Sequence, residues 1–136
     1  MRKRGNRIYY AHAMCMYGWA AERRELGIIR RKFRGQRIVN PAAYQNHPDK
    51  RRDQMGFCLR LVAASHSVVF SRILGKVTAG VGKEVNHALR LGKPVYEVAA
   101  SKVVRRTRRV SYISPRASRA LYEKWRLQQY RQTWAR

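Results

Sequence analysis

The sequence has very few acidic residues: Asp and Glu together number 7, against 31 Lys and Arg, and the net charge is +24. A surplus of this size repels itself in a compact fold unless a polyanion screens it. Most of the basic residues are Arg, whose planar guanidinium group can donate two hydrogen bonds to one phosphate. The charge therefore predicts a nucleic-acid partner, and an anionic membrane surface is the weaker alternative.

The chain also has few cysteines and no long apolar run. Cys15 and Cys58 are far apart in the sequence and form no disulfide framework, which favours a reducing compartment. No apolar stretch approaches the ~20 residues that a membrane-spanning helix needs. Hydrophobic residues nevertheless make up 45% of the 136-residue chain, enough for one domain with a core. We expect a cytoplasmic protein with no membrane partner.

The polar residues form no recognisable metal site or catalytic triad. No Ser/His/Asp or Cys/His arrangement can be placed. The four histidines share no metal-ligand spacing; they are His12, His47, His66 and His87. The sequence therefore predicts neither a metal nor a cofactor.

One stretch, residues 67–98, organises the rest of the chain. It opens with an apolar run at 68–70, of the length of a buried strand, and closes with a second such run at 95–98. Between them, glycines predict a loop and then the end of a helix that carries one apolar stripe. These glycines are Gly75, Gly80, Gly82 and Gly92. Strand, glycine loop, helix and strand form a crossover unit, which implies a parallel sheet.

Strands and helices alternate along the rest of the chain as well. Further strands are predicted at 8–11, 38–39 and 110–113, and further helices at 20–33, 49–64 and 115–134. This alternation predicts an α/β fold, a flavodoxin-like or Rossmann-like three-layer sandwich with four or five mostly parallel strands. We divide the chain into a basic arm (1–7), an α/β domain (8–113) and a basic, aromatic C-terminal helix (114–136).

Several sequence blocks, in this order, resemble the nucleoside 2-deoxyribosyltransferase-like superfamily. They are IYYAHAM at the first strand, NP after the second, and G-x-x-x-E followed by A-x-x-x-G-K-P-V. The resemblance covers roughly residues 7–98. It implies a flavodoxin-like sheet and an enzyme that cleaves or transfers the N-glycosidic bond of nucleosides or nucleotides.

The resemblance also implies site residues. Glu84 corresponds to the catalytic glutamate, the nucleophile that attacks the anomeric carbon of the sugar. Tyr10 and His12 would line the nucleoside pocket. Ligands of such sheets bind beyond the carboxyl ends of the strands, and backbone N–H groups at a helix entry can hold a phosphate. The substrate-binding candidates are therefore Tyr10, His12, Asn40, Thr78, Gly80 and Gly82.

The acidic residues that would support a catalytic glutamate are missing from the sequence nearby. Thr78 stands where the family has an aspartate, and no acidic residue lies between Arg60 and Lys83. A glutamate without an acidic neighbour to tune its pKa is poorly equipped for catalysis. Lys83 beside it favours an ordinary ionised carboxylate. Our first prediction is a scaffold without catalysis, and an active enzyme is the alternative.

Basic segments flank the family-like region. Guanidinium groups interleaved with aromatic rings suit RNA, where phosphates and unpaired bases are exposed together. The candidates for nucleic-acid binding are Arg2, Lys3, Arg4, Arg105, Arg106, Arg108, Arg109, Arg116, Arg119, Arg126, Arg131, Trp134 and Arg136. We predict a protein that binds structural RNA, favoured over DNA, as a ribosome-associated protein of archaeal type. A viral or chromosomal DNA-binding protein is a further alternative.

Overall fold

Five strands form a single sheet in the computed structural model, which describes residues 6–134. They are β1 (Arg7–Ala11), β2 (Arg37–Val39), β3 (Ser67–Phe70), β4 (Val95–Ala99) and β5 (Lys102–Arg106). Their order is β2-β1-β3-β4-β5, with the first four strands parallel and β5 antiparallel to β4. This order is the one found in flavodoxin-like sheets, so the predicted α/β class is confirmed.

Five helices surround this sheet. They are α1 (Ala20–Lys32), α2 (Pro48–Arg52), α3 (Gln54–Ala63), α4 (Ala79–Arg90) and α5 (Pro115–Trp134). Two cores lie on the two sides of the sheet: one contains buried side chains of α3 and α4, and the other those of α1. Because β1 and β3 lie in the centre, their side chains are buried on both faces, as apolar parallel strands require. The molecule is thus a three-layer sandwich.

The C-terminal helix packs at the carboxyl edge of the parallel strands. Trp125 of α5 is 6% exposed and lies in a third core with Cys15, Met16 and Ile73. Its ring meets that of Trp19 edge to face, with centroids 5.8 Å apart. As expected, Ser114 caps the helix, its hydroxyl oxygen accepting a hydrogen bond from the N–H of Ala117 at 3.1 Å.

Two predicted elements are wrong. The helix predicted over 49–64 is interrupted at Asp53, whose carboxylate accepts a hydrogen bond from the N–H of Gly56 and caps α3. The strand predicted at 110–113 is absent, and the fifth strand is instead the basic segment Lys102–Arg106. β5 pairs with β4 across a tight turn in which Ala100 takes a φ of 57°. Backbone pairing with an adjacent strand thus forms β5 in a basic segment for which the sequence predicted no strand.

The predicted glycine loop is also shorter than expected. Only Gly75 lies in it with a positive φ (76°), whereas Gly80 and Gly82 belong to α4. Gly82 is required for a different reason: a Cβ atom there would collide with the ring of Tyr112. Gly92 follows the helix with a φ of 73°, which confirms the predicted helix end.

Candidate functional site

A cavity of about 300 Å³ opens at the carboxyl edge of the sheet, in the place where ligands of parallel α/β sheets bind. Its walls come from the segment after β1, from α3, from the start of α4 and from the start of α5. The residues that line it include His12, Met14, Tyr17, Met55, Cys58, Thr78, Glu84, Ser118, Arg119 and Tyr122. The cavity lies at the small end of the range for small-molecule sites, about 300–1,000 Å³.

Glu84 is the buried acid of this cavity. It lies in the second turn of α4, on the side that packs against the sheet, and is 6% exposed. The hydroxyl of Tyr9, on the adjacent strand β1, donates a hydrogen bond to Oε2 of Glu84. Burial raises the pKa of Glu84 to about 7, although the Tyr9 hydrogen bond and the charge of Lys50 both lower it. Near neutral pH the carboxyl group therefore exchanges its proton readily.

Lys50 is a buried cation behind the same wall. Its ammonium group donates hydrogen bonds to the carbonyl oxygen of Pro41 at 2.9 Å and to Oε1 of Gln45 at 2.6 Å. It also lies 5.3 Å from the centre of the Tyr17 ring, which forms part of the cavity. Burial lowers the pKa of Lys50. These contacts fix the Tyr17 wall and place a positive charge on the Glu84 side of the sheet.

His12 contributes a fixed ring to the cavity. Its Nε2 lies 2.7 Å from Oε2 of Glu22, and its Nδ1 lies 3.1 Å from the carbonyl oxygen of Tyr10. Burial raises the pKa of Glu22, but the hydrogen bonds from His12 and from the N–H of Gly18 outweigh this and lower it overall. Since both ring nitrogens are paired within the protein, neither is free to act as a base, and His12 can contact a ligand only through its ring.

Tyr10 lies on the opposite face of the sheet from Glu84. Its hydroxyl donates a hydrogen bond to Oε1 of Glu25 of α1 at 2.6 Å, and its ring stacks on His12 with centroids 3.7 Å apart. Asn40 lies after β2, where its side chain accepts a hydrogen bond from the N–H of Ala42. Of the predicted pocket residues, the structure thus brings together His12, Thr78, Gly80 and Glu84 in the cavity wall and leaves Tyr10, Asn40 and Gly82 outside it.

The start of α4 forms the polar end of the cavity. Thr78 is the N-cap residue, yet its hydroxyl makes no capping hydrogen bond. Its Oγ1 is the one buried side-chain oxygen or nitrogen without a hydrogen-bond partner in residues 6–134. It lies close to the Tyr122 hydroxyl, and this proximity offsets part of the rise that burial causes in the pKa of Tyr122. The N–H of Ala79 donates to Oγ of Ser118 of α5 at 2.9 Å. The hydroxyl of Thr78 and the guanidinium of Arg119, placed at a helix N-terminus, together suit an anionic group.

A second, open groove of about 640 Å³ lies beside β5 and the segment that follows it. It is lined by Arg72, Arg105, Arg106, Thr107, Arg108, Arg109, Val110 and Ser111. Glu97, which is buried, holds two of the five arginines: its carboxylate oxygens accept from Nε of Arg72 at 2.8 Å and from Nε of Arg106 at 2.9 Å. No acidic residue lines the groove within the described part of the chain. We call this surface the arginine groove.

The remaining basic candidates are spread over α5. Arg116, Arg119, Arg126 and Arg131 are all exposed, and Arg126 is paired with Glu123 at 2.9 Å. Trp134 is the last residue of α5. Arg2, Lys3, Arg4 and Arg136 lie outside the described residues.

Sequence reasoning missed Tyr9, Tyr17, Ser118 and Tyr122 as site residues. Tyr9 and Tyr10 are adjacent in an apolar strand that is buried on both faces, so no pattern tells which tyrosine faces α4. Ser118 and Tyr122 come from α5, which the sequence places only as a charged appendage. One signal was available: they stand four residues apart and so share a helix face with each other.

Comparison of the chain with family models, with curated proteins and with solved structures finds no match. In residues 6–134, no helix combines the length and the apolar character needed to cross a membrane. No group of three or more His, Cys, Asp or Glu side chains in the same residues is arranged to hold a metal ion.

Proposed function

We propose that the protein binds nucleic acid, and that its target is structural RNA such as that of an archaeal-type ribosome. The observation that carries this proposal is the arginine groove, which is lined by five arginines and by no acidic residue among the described residues. Each guanidinium can bind a phosphate through two hydrogen bonds. The net charge of +24 supplies the long-range attraction.

The recognition would be largely independent of base sequence. Arginines that contact phosphates fix the position of a strand but do not read its bases. Two aromatic side chains are exposed: Tyr112 (43% exposed) lies just after the groove, and Tyr130 (53% exposed) lies on α5 with its ring edge to face with Trp19. Because rings of this kind stack on unpaired bases, they favour single-stranded regions of RNA over duplex DNA.

The salt dependence of binding to a single-stranded oligoribonucleotide tests this proposal. With six or more phosphate contacts, affinity falls by orders of magnitude between about 50 and 200 mM salt. Replacing Arg105, Arg108 and Arg109 by Ala should lower the slope of log affinity against log salt by about 2, since each single-strand phosphate contributes about 0.7.

A matched control removes the same charge from the other side of the molecule. Arg24, Arg30 and Arg34 are exposed residues on and just after α1, and replacing them by Ala should leave the slope nearly unchanged. If the slope falls equally in both triple variants, the net charge of the protein, and not the arginine groove, holds the strand. A slope near zero in the unaltered protein would overturn the proposal altogether.

The geometry around Glu84 favours a second candidate function, cleavage or transfer of the N-glycosidic bond of a nucleoside or nucleotide. In this reaction a Glu84 carboxylate oxygen bonds to the anomeric carbon, while the bond from that carbon to the base breaks and the base leaves with its electron pair and takes a proton from water. Water or an acceptor base then attacks the same carbon and releases the carboxylate. Thr78 at the start of α4 and Arg119 of α5 would hold a 5′-phosphate.

Release of free base from deoxynucleosides and deoxynucleotides, followed by chromatography, tests this second candidate. Because the ionised carboxylate is the nucleophile, the rate should rise as the pH passes through about 7. Glu84→Gln should abolish release, and Glu123→Gln, which removes one exposed carboxylate on α5, should not. Release that persists in Glu84→Gln would exclude this role for Glu84.

A further inference from the structure

The arginine groove and the Glu84 cavity are joined by one segment of chain, residues 107–113. Val110 is held to α4 by two hydrogen bonds with Asn86, of 2.9 and 3.0 Å. Further along, the ring of Tyr112 packs against Gly82, and the N–H of Ile113 donates to the carbonyl oxygen of Val77 at 3.1 Å. The segment therefore follows α4 from its middle to its first residue, where α5 and the cavity begin.

The surface along this segment is grooved and basic. An intermediate depression of about 280 Å³ shares Arg72 and Ser111 with the arginine groove, and it also contains Lys76, Val77 and Tyr112. Val77 is followed directly by Thr78 in the cavity wall. The depression and the cavity thus lie on neighbouring residues of the chain without sharing a lining residue, and Arg119 adds a positive charge at the cavity.

The cavity itself has the chemistry of a site for one nucleotide. Tyr17, Tyr122 and Met55 give it apolar and aromatic walls that can take the faces of a base. The start of α4 offers a phosphate oxygen the unpartnered hydroxyl of Thr78, which is 2% exposed. A buried hydroxyl without a protein partner can be satisfied by a polar group of a ligand that enters the cavity.

We propose that the cavity receives a single unpaired nucleotide from a strand of RNA that is bound along the arginine groove. The inference rests on the proposed binding of nucleic acid and names the substrate class of the Glu84 site: a nucleotide within a chain rather than a free nucleoside. Its base lies between the Tyr17 and Tyr122 walls, and its phosphate lies at the start of α4. An unpaired nucleotide enters most readily, because a paired base must first break its stacking and pairing.

Photo-cross-linking tests this proposal. A single-stranded oligoribonucleotide with one central 4-thiouridine is bound to the full-length protein at low salt, irradiated with near-ultraviolet light, and the attached residues are mapped by mass spectrometry. Cross-links are expected on the cavity walls, at Met14, Tyr17 or Tyr122. The same strand annealed to its complement should lose most of these cross-links while it remains bound to the arginine groove.

Blocking variants make the test specific. Met14 (38% exposed) and Gln54 both lie at the rim of the cavity, and Met14→Trp or Gln54→Trp should each fill its mouth. Either variant should remove the cavity cross-links and lower the affinity for the strand several-fold. Leu91→Trp is the matched control: it places the same large ring on an exposed residue at the far end of α4 and should leave the cross-links in place.

The outcomes separate this inference from the proposed function. In one outcome the strand binds with a steep salt slope but cross-links only to exposed residues such as Tyr112 and Tyr130, and the cross-links are the same in the blocked variants. The cavity then does not take a nucleotide from the strand, and this inference fails while the proposed function stands. If no strand of RNA or DNA binds at low salt, the proposed function fails as well. Cavity cross-links with single-stranded DNA but not with RNA would reject RNA as the target.

Discussion

The hydroxyl of Tyr9 on β1 donates a hydrogen bond to the carboxylate of Glu84 on α4, although the two residues are 75 positions apart in the sequence. Both side chains are buried, and this bond is the direct link between the sheet and the acid of the cavity. It lowers the pKa of Glu84 against the larger, opposite effect of burial. A residue of the first strand therefore moderates the rise that burial causes in the pKa of the candidate catalytic group.

Removing the Tyr9 hydroxyl should raise the pKa of Glu84 further. In Tyr9→Phe the carboxylate loses a donor while burial remains, so its titration midpoint should move above about 7. The loss of a hydrogen bond to a buried, chargeable group should also cost about 1–3 kcal/mol of stability. Carbon-13 NMR of the Glu84 carboxyl group measures the midpoint.

Tyr10→Phe is the matched control for this experiment. It removes the hydroxyl of the adjacent residue, whose hydrogen bond goes to Glu25 on the other face of the sheet. It should cost similar stability without moving the Glu84 midpoint. Equal shifts in both variants would mean that Tyr9 does not tune Glu84 directly.

The stability of the protein should depend on pH through Glu84. The pKa of this group is about 7 in the folded protein and about 4.5 when it is unfolded, so between these values the folded state binds more protons than the unfolded state. The contribution of Glu84 to stability is therefore present at low pH and is lost as the pH rises through about 7. From pH 5 to pH 8, this lowers the free energy of unfolding by about 2–3 kcal/mol relative to Glu84→Gln.

Urea denaturation of both proteins at several pH values measures this difference. The comparison with Glu84→Gln cancels the titration of the other groups, including Glu22, whose lowered pKa acts in the opposite direction at acid pH. Parallel pH profiles for the two proteins would show that Glu84 titrates at its ordinary pKa.

Two glycines of α4 should respond oppositely to substitution by alanine. A Cβ atom at Gly82 would collide with the Tyr112 ring, so Gly82→Ala should cost about 1–3 kcal/mol and displace the 107–113 segment. A Cβ atom at Gly80 would lie 3.6 Å from Cε of Met55, an ordinary contact, and Gly80→Ala should be neutral or stabilising by up to about 1 kcal/mol. Thermal denaturation compares the two; a tolerated Gly82→Ala would contradict the packing of Tyr112.

Glu97 should oppose the binding of nucleic acid while it stabilises the fold. Glu97→Gln removes the charge that pairs with Arg72 and Arg106, and should lower stability by about 2 kcal/mol. The two guanidinium groups become available to phosphate, so the affinity for RNA at low salt should rise. Glu123→Gln makes the same change of charge at an exposed pair with Arg126 and should alter stability by less than about 0.5 kcal/mol. Weaker RNA binding by Glu97→Gln would argue against the arginine groove.

Local sequence signals predicted most of the fold. The apolar run at 68–70, the stripe of α4 and the glycine at position 92 placed the central crossover unit correctly, because each signal depends only on neighbouring residues. The signals failed at 102–106 and 110–113, where pairing between strands decided the structure. The sequence marks Lys102–Arg106 only as strongly basic, yet this segment completes the sheet as an antiparallel edge strand.

The candidate site was predicted less completely. Glu84, His12 and Thr78 were identified and lie together, but Tyr10 was predicted to line the pocket, whereas it is its neighbour Tyr9 that bonds to Glu84. A strand that is buried on both faces has no polar alternation, so its sequence does not reveal which side chain meets which helix. The contribution of α5 to the cavity was missed for a related reason, since Ser118 and Tyr122 acquire a role only once the helix packs on α4.

The sequence by itself determined the charge surplus, the alternation of strands and helices, and the position of Glu84 on a helix after a buried strand, because these follow from composition and local periodicity. Only the tertiary structure decided that Glu84 is buried against Tyr9, that α5 closes the cavity, and that residues 107–113 join the cavity to the arginine groove. The physical reason is that the burial of Glu84, its pKa and the shape of the grooves depend on contacts between residues far apart in the sequence. These contacts form only when the chain folds.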